Sequence, residues 1–322
     1  MTMATLPRHA ETRTMEWIPG GRFTMGSDHH YPEERPERTV EVAGFWIDRT
    51  PVTNAEFARF VAATGHRTVA ETAPDPRDYP GALPEMLVPA SLVFQPPSRP
   101  VDPRGPASQW WDYRTGADWR HPTGPGSSID DIADHPVVHV ALADVEAYLA
   151  WSGMSLPTEA EWEFAARGGS EGTEFAWGDD LVPGGIHHAN VWQGQFPYAN
   201  TLDDGWMRTS PVGSYPANGY GLVDLIGNVW EWTADWWSLP GGAKAHGGSC
   251  CGGTRPKDGG KALSVDPNDP TAIARRVLKG GSHLCAPNYC RRYRPAARHA
   301  HPVDTSTSHI GFRCLARPAA QS

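Results

Sequence analysis

Hydrophobic and polar residues alternate along the chain in a pattern that predicts three amphipathic helices among many short extended segments. A capping box at Thr53 begins the first helix, which ends before Gly65. The apolar positions of residues 144–152 are spaced for one buried helix face. A second capping box, at Thr158, begins a helix that ends at Arg167. We expect each helix to pack one face on a core.

The remaining chain is dominated by extended segments, turns and loops. Alternation over residues 38–47 and β-branched residues within 135–140 predict two strands. Residues 72–128 are rich in proline and lack a sustained period, which predicts a long ordered surface loop. Residues 240–269 are rich in glycine and predict a second loop excursion. We therefore predict a single-domain α+β fold that is loop-rich and low in regular secondary structure.

Length and charge exclude several classes of protein. The chain has 322 residues, of which 39% are hydrophobic, so it can bury a sizeable core and global disorder is excluded. Its 28 basic and 37 acidic residues give a net charge of −9, which argues against nucleic acid as a partner. No apolar run approaches 18 residues, so we predict no membrane span. The first residues contain no apolar segment of a secretory signal, and we expect a cytoplasmic protein.

The chain has five cysteines, and this odd number argues against a disulfide framework. Two of the five stand out. Cys285 and Cys290 flank Pro287 and Asn288, and a turn there brings the two thiols face to face. Adjacent thiols form a disulfide, bind a soft metal ion such as Cu(I), or stay inert. The residues alone leave these three fates open. The other cysteines are Cys250, Cys251 and Cys314.

Two further groups of polar residues have simpler interpretations. His135 and His139 would lie about 13 Å apart on a strand, too far to share one metal ion, so we expect structural histidines. Glu159, Glu161 and Glu163 fall in the first turns of a capped helix, where carboxylates interact favourably with the helix dipole. We expect these acids to lie on a solvated face.

Oxygen ligands cluster on turns in the second half of the chain. Asn190, Asp204, Asp224 and Glu231 offer the hard oxygen atoms that Ca²⁺ prefers, with backbone carbonyls to complete the shell. The same residue types are common in turns and helix caps that bind no ion. Spacing alone does not separate a calcium site from ordinary turn residues.

Several motifs together resemble the formylglycine-generating enzymes, the sulfatase-modifying factor family. The matching segments are Leu-Pro-Thr-Glu-Ala-Glu-Trp-Glu (156–163), Gly-Asn-Val-Trp-Glu-Trp (227–232), Lys-Gly-Gly-Ser (279–282), Cys-x4-Cys (285–290), Arg-Tyr-Arg (292–294) and Gly-Phe-Arg-Cys (311–314). The resemblance implies the formylglycine-generating-enzyme fold of the C-type-lectin-like superfamily. It predicts a domain at 16–316 between a flexible N-terminus, 1–15, and a C-terminal tail, 317–322.

The resemblance implies a copper-dependent oxidoreductase with Cu(I) as cofactor. Such an enzyme uses O₂ and a thiol reductant to convert the cysteine of a sulfatase Cys-x-Pro-x-Arg segment to Cα-formylglycine, which activates the sulfatase. Its protein partners would be unfolded or nascent sulfatase polypeptides. Cys285 and Cys290 would hold the copper, the substrate thiolate would join them, and Ser282 would line the oxygen pocket. The residues implied to contact substrate are Trp230, Tyr289 and Arg294.

The family also implies two calcium sites. The first comprises Asn190, Val191 (backbone), Asp204 and Trp206 (backbone), and the second comprises Asp224, Gly227 (backbone), Val229 (backbone) and Glu231. Asp224 and His309 stand where the family usually has Asn, and His309 alters the polarity of the pocket. Cys314 is expected to be a buried free thiol, and no function is assigned to Cys250 or Cys251.

Two other functions on the same fold are weighed against the oxidase. One is a non-catalytic peptide- or ligand-binding module in which Cys285 and Cys290 form a structural disulfide. The other is an iron-dependent sulfoxide synthase, which needs a three-histidine site and an extra helical domain; the chain has no His-x3-His-x-Glu run. The cysteine pair and Ser282 favour the oxidase.

Overall fold

The computed structural model describes residues 13–239, 259–269 and 271–318. Residues 1–12 of the predicted N-terminus lie outside the described residues, as do most of the predicted glycine-rich excursion, including Cys250 and Cys251, and the last part of the predicted tail. Residues 13–15 pack on the domain, since Arg13 pairs with Asp48 and Met15 begins a strand. No helix in the described part of the chain is long and apolar enough to cross a membrane.

The three predicted helices are present, and local side-chain bonds set where they begin. At both predicted capping boxes, the threonine hydroxyl accepts a bond from the glutamate N–H, and the glutamate carboxylate accepts one from the threonine N–H. The second helix starts earlier than predicted because Asp144 accepts from the N–H of Ala141 at 2.9 Å. The described helices are α1 (Asn54–Thr64), α2 (Leu142–Ser152), α3 (Glu159–Arg167) and α4 (Gly259–Leu263).

The strands form several small sheets. In the first half of the chain they are β1 (Met15–Ile18), β2 (Gly21–Met25), β3 (Arg38–Val42), β4 (Phe45–Asp48), β5 (Ala90–Phe94) and β6 (Trp111–Thr115). In the second half they are β7 (Gly194–Gln195), β8 (Ala199–Asn200), β9 (Trp230–Trp236), β10 (Arg275–Lys279), β11 (Arg298–Pro302), β12 (Ile310–Gly311) and β13 (Leu315–Ala316).

The largest sheet described has the order β11-β10-β9-β12, and it carries the chemistry discussed below. A three-stranded sheet has the order β1-β4-β13, and the pairs β2-β3, β5-β6 and β7-β8 complete the set. Helix α3 packs against both β9 and β10. The loop-rich α+β prediction is confirmed, with small mixed sheets rather than one continuous sheet.

Both predicted strands need correction. Residues 38–47 form two strands in different sheets, because the chain breaks at Gly44, where a Cβ atom would lie 2.5 Å from the Trp17 ring. Residues 135–140 form no strand: Pro136 makes one isolated bridge to Thr53, and His139 has a positive φ of 61°. Their backbone bonds go to two different segments, from Val137 N to Val52 O and from His139 N to Thr307 O, both at 2.9 Å, so β propensity there does not lead to a strand.

The predicted surface loop at 72–128 contains regular structure. Strands β5 and β6 pair antiparallel across it, from Ala90 opposite Thr115 to Phe94 opposite Trp111. Ser91 bonds to Ser306 O at 2.8 Å, which ties the strand pair to the segment after β11. The proline-rich segment therefore forms one wall of the functional site.

The acidic residues of α3 are buried rather than solvated, so that prediction was wrong. Glu163 has no exposed surface; it accepts a bond from Lys279 on β10 at 3.0 Å and pairs with Arg167 at 2.7 Å. Glu159 pairs with Arg298 at 2.8 Å, and Glu161 pairs with Arg317. Cations on distant segments neutralise the charges, which allows burial.

Candidate functional site

A tight turn after β10 brings the two predicted cysteines together. Gly280 and Gly281 adopt positive φ angles of 93° and 74°, and a Cβ on Gly280 would lie 2.6 Å from Leu225 O, so glycine is required there. The N–H of Cys285 then bonds to Ser282 O at 2.9 Å, and the N–H of Cys290 bonds to Ala286 O at 2.9 Å. The turn predicted between the cysteines is confirmed.

Asn288, which lies within the turn, bonds the turn to a different segment of the chain. Its side-chain amide donates to Phe196 O at 3.2 Å, and its carbonyl accepts from Phe196 N at 3.3 Å. The N–H of Trp192 donates to Cys285 O at 2.9 Å. Residues on both sides of β7 therefore fix the loop of the thiol pair.

Cys285 and Cys290 are free thiols whose sulfur atoms lie 3.5 Å apart. This separation is well beyond the roughly 2.05 Å of a disulfide bond. The hydrogen bond from Cys285, aided by the charge of Arg292, lowers the pKa of Cys290, while burial raises the pKa of Cys285. Cys290 is therefore the thiol that ionises first, and Cys285 keeps its proton and donates it to the sulfur of Cys290 in a hydrogen bond.

An arginine faces the thiol pair from the same loop. Nη1 of Arg292 lies 3.8 Å from the sulfur of Cys290. Its Nε and Nη2 donate to Oε1 of Glu33 at 3.2 and 2.5 Å, and the guanidinium lies 3.9 Å from the centre of the Tyr31 ring. Sequence reasoning passed over Arg292, although it belongs to the recognised Arg-Tyr-Arg motif.

The thiols open into a cavity of about 310 Å³ with largely aromatic walls. Tyr289 is 43% exposed and stacks on Phe196 with ring centres 4.3 Å apart. Other lining residues are Leu92, Trp110, Trp111, Trp230, Ser282, Leu284, Arg292, His299, His301, Thr307 and His309. A cavity with aromatic walls, one exposed tyrosine and two thiols suits an extended peptide that presents one reactive side chain.

Three histidines give the far wall its polarity. His309 Nδ1 lies 2.6 Å from the Thr307 hydroxyl, and its ring lies 4.9 Å from that of Trp111. Burial, followed by neighbouring histidines, lowers the pKa of His309, so its imidazole is neutral at pH 7. His301 is bonded to Thr305 O at 3.0 Å, and His299 packs on the Trp230 ring. In the described chain, no cluster of three or more His, Cys, Asp or Glu side chains could hold a metal ion.

Most residues predicted for the copper site and the substrate contacts meet in this cavity. Ser282 is fully buried beside Cys285, and its hydroxyl accepts from the N–H of Leu284 at 3.2 Å. Trp230 begins β9 and its ring lines the cavity, as does Tyr289. Leu92 and the Trp110–Trp111 pair could not be predicted from the local sequence, because they reach the thiol pair from a segment more than 170 residues earlier in the chain.

Arg294 does not line this cavity, so the substrate contact predicted for it needs correction. Its side chain is 1% exposed, and its two terminal nitrogens donate to the carboxylate of Glu34 at 2.9 and 2.6 Å. Nε donates to Arg291 O at 2.8 Å. Because every nitrogen of its guanidinium is used inside the protein, Arg294 supports the loop, and Arg292 is the arginine that faces the cavity.

The other predicted structural residues are held by protein partners. His139 is fully buried, with Nδ1 2.7 Å from Ser91 Oγ and Nε2 2.9 Å from Pro122 O. His135 Nδ1 lies 3.0 Å from Thr209 Oγ1. Cys314 is a buried free thiol, as predicted. These residues take no part in the cavity.

The residues predicted for the first calcium site contain one unsatisfied oxygen. Oδ1 of Asn190 is buried without a hydrogen-bond partner, while its amide nitrogen donates to Arg208 O at 2.9 Å. The carboxylate of Asp204 accepts from Trp206 N at 3.0 Å and from the Tyr215 hydroxyl at 2.9 Å. A buried amide oxygen with a carboxylate in the same predicted set is compatible with a hard cation.

The second predicted calcium site fits less well. Asp224 has one buried oxygen without a partner and one that accepts from Gly213 N at 2.6 Å. Glu231, however, accepts from Arg313 and Trp162 through both oxygens, at 2.7 to 3.0 Å. Its charge is neutralised inside the core, where it is fully buried. Glu231 is therefore a core ion-pair residue, and the second calcium ligand set does not fit as predicted.

The fold and the paired thiols define a class of protein, and comparison with known proteins identifies the same class. Residues 2–318 match the family model described as "Sulfatase-modifying factor enzyme 1-like domain". The chain therefore belongs to the sulfatase-modifying factor family.

Particular relatives carry more specific names. The "Formylglycine-generating enzyme" of Mycobacterium tuberculosis (strain ATCC 25618 / H37Rv) is 53% identical over 301 residues, which cover 94% of this chain and 97% of that protein. The mouse protein named "Inactive C-alpha-formylglycine-generating enzyme 2" is 37% identical over 317 residues, or 95% and 86% of the two chains. Since the family includes a member named inactive, the site must decide whether this chain is an enzyme.

A solved structure supports the fold. "Structure of PvdO from Pseudomonas aeruginosa" superposes with a TM-score of 0.62 and covers 98% of this chain and 99% of that one, at 24% identity. At this identity, the similarity bears on the fold alone. The predicted formylglycine-generating-enzyme fold is confirmed.

Proposed function

We propose that this protein is a formylglycine-generating enzyme that activates sulfatases by converting a cysteine in a Cys-x-Pro-x-Arg segment to Cα-formylglycine. The observation that carries the proposal is the pair of free thiols, 3.5 Å apart, in a cavity open to a peptide. The proposal also rests on the 53% identity to a relative of that name. The substrate would be an unfolded or nascent sulfatase polypeptide.

The reaction needs an oxidant and a reductant, for which we propose O₂ and a small thiol. Converting –CH₂–SH to –CHO removes two electrons from the substrate and releases its sulfur as H₂S. Two further electrons and two protons come from the thiol reductant, which becomes a disulfide. One O₂ accepts all four electrons; one of its oxygen atoms is balanced by the aldehyde oxygen and the other by water. The proposed enzyme is thus an oxidoreductase.

The donor set at Cys285 and Cys290 fits Cu(I), which we propose as the cofactor. Two adjacent thiolates are soft ligands that suit a soft monovalent cation, and Cys290 already has a lowered pKa. Bound there, copper would supply the redox chemistry with O₂. Ser282 would face the oxygen side of the thiol pair, because its buried hydroxyl lies in the cavity wall.

The aromatic residues of the cavity would bind and orient the peptide. Tyr289 is partly exposed where it lines the cavity, Trp230 is a buried part of the lining, and Phe196 supports Tyr289 by stacking. Neutral His309 would leave its side of the cavity uncharged. Excluding water from the aromatic walls would strengthen electrostatic interactions at the thiols.

The experiment combines the protein with Cu(I), O₂, dithiothreitol and a Cys-x-Pro-x-Arg peptide, with aldehyde product detected by mass spectrometry. We expect formylglycine peptide from the wild type, none from Cys285→Ala or Cys290→Ala, and undiminished product from Cys314→Ala, a matched control with a distant thiol. No product from copper-loaded wild type would refute the oxidase. In that case the non-catalytic binding module becomes the better explanation, and peptide binding without turnover would identify it.

Calcium remains a proposal restricted to the first site. We propose that Ca²⁺ binds through the unpartnered oxygen of Asn190 and the carboxylate of Asp204, with Val191 and Trp206 contributing backbone oxygens, and stabilises the loop before β7. The midpoint temperature of thermal unfolding should rise with added Ca²⁺ in the wild type and stay unchanged in Asn190→Ala. An equal rise in both proteins would exclude this site.

We also propose a cytoplasmic location. Cys285, Cys290 and Cys314 are free thiols, and a reducing compartment keeps thiols in that state. Fractionation of cells that produce the chain tests the location directly: recovery outside the cytoplasm would contradict it.

A further inference from the structure

The proposed copper site at Cys285 and Cys290 would carry a negative charge that needs a partner. Two thiolates that hold one Cu(I) ion carry a net charge of −1, and burying such a charge without compensation is costly. Cys285 is 2% exposed, and both cysteines line the cavity. A stable site of this kind needs a fixed positive group nearby.

Arg292 is held in the position that this charge requires. Its Nη1 approaches the sulfur of Cys290 at 3.8 Å. Glu33 binds the opposite edge of the guanidinium through Nε and Nη2, and the Tyr31 ring covers one face at 3.9 Å. With Nε and Nη2 bound to one carboxylate, Nη1 is left to face the sulfur.

Glu33 and Tyr31, which hold Arg292, are themselves anchored to the rest of the protein. Glu33 and its neighbour Glu34 lie in the short 3-10 helix Pro32–Glu34, and Glu34 forms the buried pair with Arg294 described above. The hydroxyl of Tyr31 accepts from the N–H of Arg291 at 3.1 Å. The segment therefore fixes Arg292 more firmly than a surface ion pair would, and the side chain is only 22% exposed.

We propose that Arg292 is a positioning residue whose guanidinium, fixed by Glu33 and Tyr31, compensates the charge of the copper-bound thiolate pair and so sets the affinity of the protein for Cu(I). This inference rests on the copper site of the proposed function and deepens it. It assigns to Arg292 a role in copper retention, separate from any contact with the peptide.

The adjacent arginine provides a matched control. Arg291 is a neighbour in sequence with the same charge, but it pairs with Glu174 at 2.6 Å and its side chain is 51% exposed. No contact joins it to either sulfur in the described structure. Replacing Arg291 or Arg292 by glutamine changes the net charge equally, so only a local effect distinguishes the variants.

The test is an anaerobic Cu(I) competition titration of the whole protein with the chelator bathocuproine disulfonate at pH 7.5. We expect Arg292→Gln to weaken Cu(I) binding at least tenfold and Arg291→Gln to stay within about twofold of wild type. Arg292→Lys should fall between Arg292→Gln and wild type, because lysine keeps the charge but loses the two-nitrogen contact with Glu33 and the stacking on Tyr31. Thermal unfolding checks that each variant is folded. Arg292→Met is the second neutral variant should Arg292→Gln not fold, with the same expected loss.

Each outcome decides the matter. If folded Arg292→Gln binds Cu(I) within threefold of wild type, or Arg291→Gln weakens binding equally, the inference is overturned while the proposed oxidase stands. If wild type binds Cu(I) no more tightly than Cys285→Ala, both the copper site and this inference fail together. A selective loss in the neutral Arg292 variants, with partial recovery in Arg292→Lys, supports the assignment.

Discussion

Arg294 and Glu34 allow the sharpest test of how the functional loop is supported. Both side chains are almost fully buried and form a two-point ion pair. Replacing Arg294 by methionine keeps the apolar stem but removes the guanidinium, which leaves the carboxylate of Glu34 buried without a cation. We expect a large loss of folding stability and little direct effect on peptide binding.

The magnitude follows from two independent considerations. Unit charges about 4 Å apart interact by about 4 kcal/mol at an effective dielectric constant of 20. Breaking a buried ion pair by removing one partner costs about 3–5 kcal/mol. We therefore expect the free energy of unfolding of Arg294→Met to fall by about 4 kcal/mol at pH 7.

Urea unfolding followed by tryptophan fluorescence measures this change, since the chain has 14 tryptophans. The double variant Glu34→Leu/Arg294→Met replaces the whole pair by apolar groups and should recover at least about 2 kcal/mol. Arg317→Met is the exposed control: its side chain is 44% exposed and pairs with Glu161, so we expect a loss below about 1 kcal/mol.

Two results would refute the reasoning. One is a loss in Arg294→Met no greater than in Arg317→Met. The other is an Arg294→Met protein of normal stability whose KM for the Cys-x-Pro-x-Arg peptide rises more than tenfold, since that would restore Arg294 as a substrate contact.

Three further predictions concern separate parts of the molecule. Burial opposes ionisation of Glu163, but Lys279 and Arg167 lower its pKa below 4.5. The stabilising effect of the ionised carboxylate is therefore present above pH 4.5 and is lost as pH falls through the pKa of the folded state. Urea unfolding from pH 3 to 7 should show Glu163→Gln about 3 kcal/mol less stable than wild type at pH 7 and converging with it in acid. Burial raises the pKa of Asp224 to about 6, so the folded protein binds this proton more tightly than the unfolded chain and loses stability as pH rises from about 4 to 6. In EGTA at pH 7.5, the free energy of unfolding of Asp224→Asn, measured in urea, should therefore be about 2 kcal/mol higher than that of wild type. Equal free energies would contradict this. Tyr289→Ala should raise KM for the peptide about tenfold in steady-state kinetics while Cu(I) affinity stays within threefold, because the role proposed for this exposed ring is to contact the peptide. Equal KM values would exclude the contact.

The helix starts show what the sequence determined by itself. Both capping boxes join residues three positions apart, so their bonds form in the structure as the local sequence predicts. The turn that joins Cys285 to Cys290 is local in the same way, because the bond from Cys290 N to Ala286 O spans only four residues. Short-range hydrogen bonds and the motifs of the family were therefore enough to find the helices, the thiol pair and the family.

Burial and partner choice were decided only by the tertiary structure. Glu163 has a helical position that suits solvent, yet Lys279 from β10 reaches it and the residue is fully buried. The difference between Arg292 and Arg294 has the same origin: the two are separated by one residue, and the segment Pro32–Glu34 gives one of them to the cavity and the other to the core. Because a distant segment supplies the partner in each case, the local sequence contains no signal for it, and only the folded chain fixes which charged group is structural and which faces the thiols.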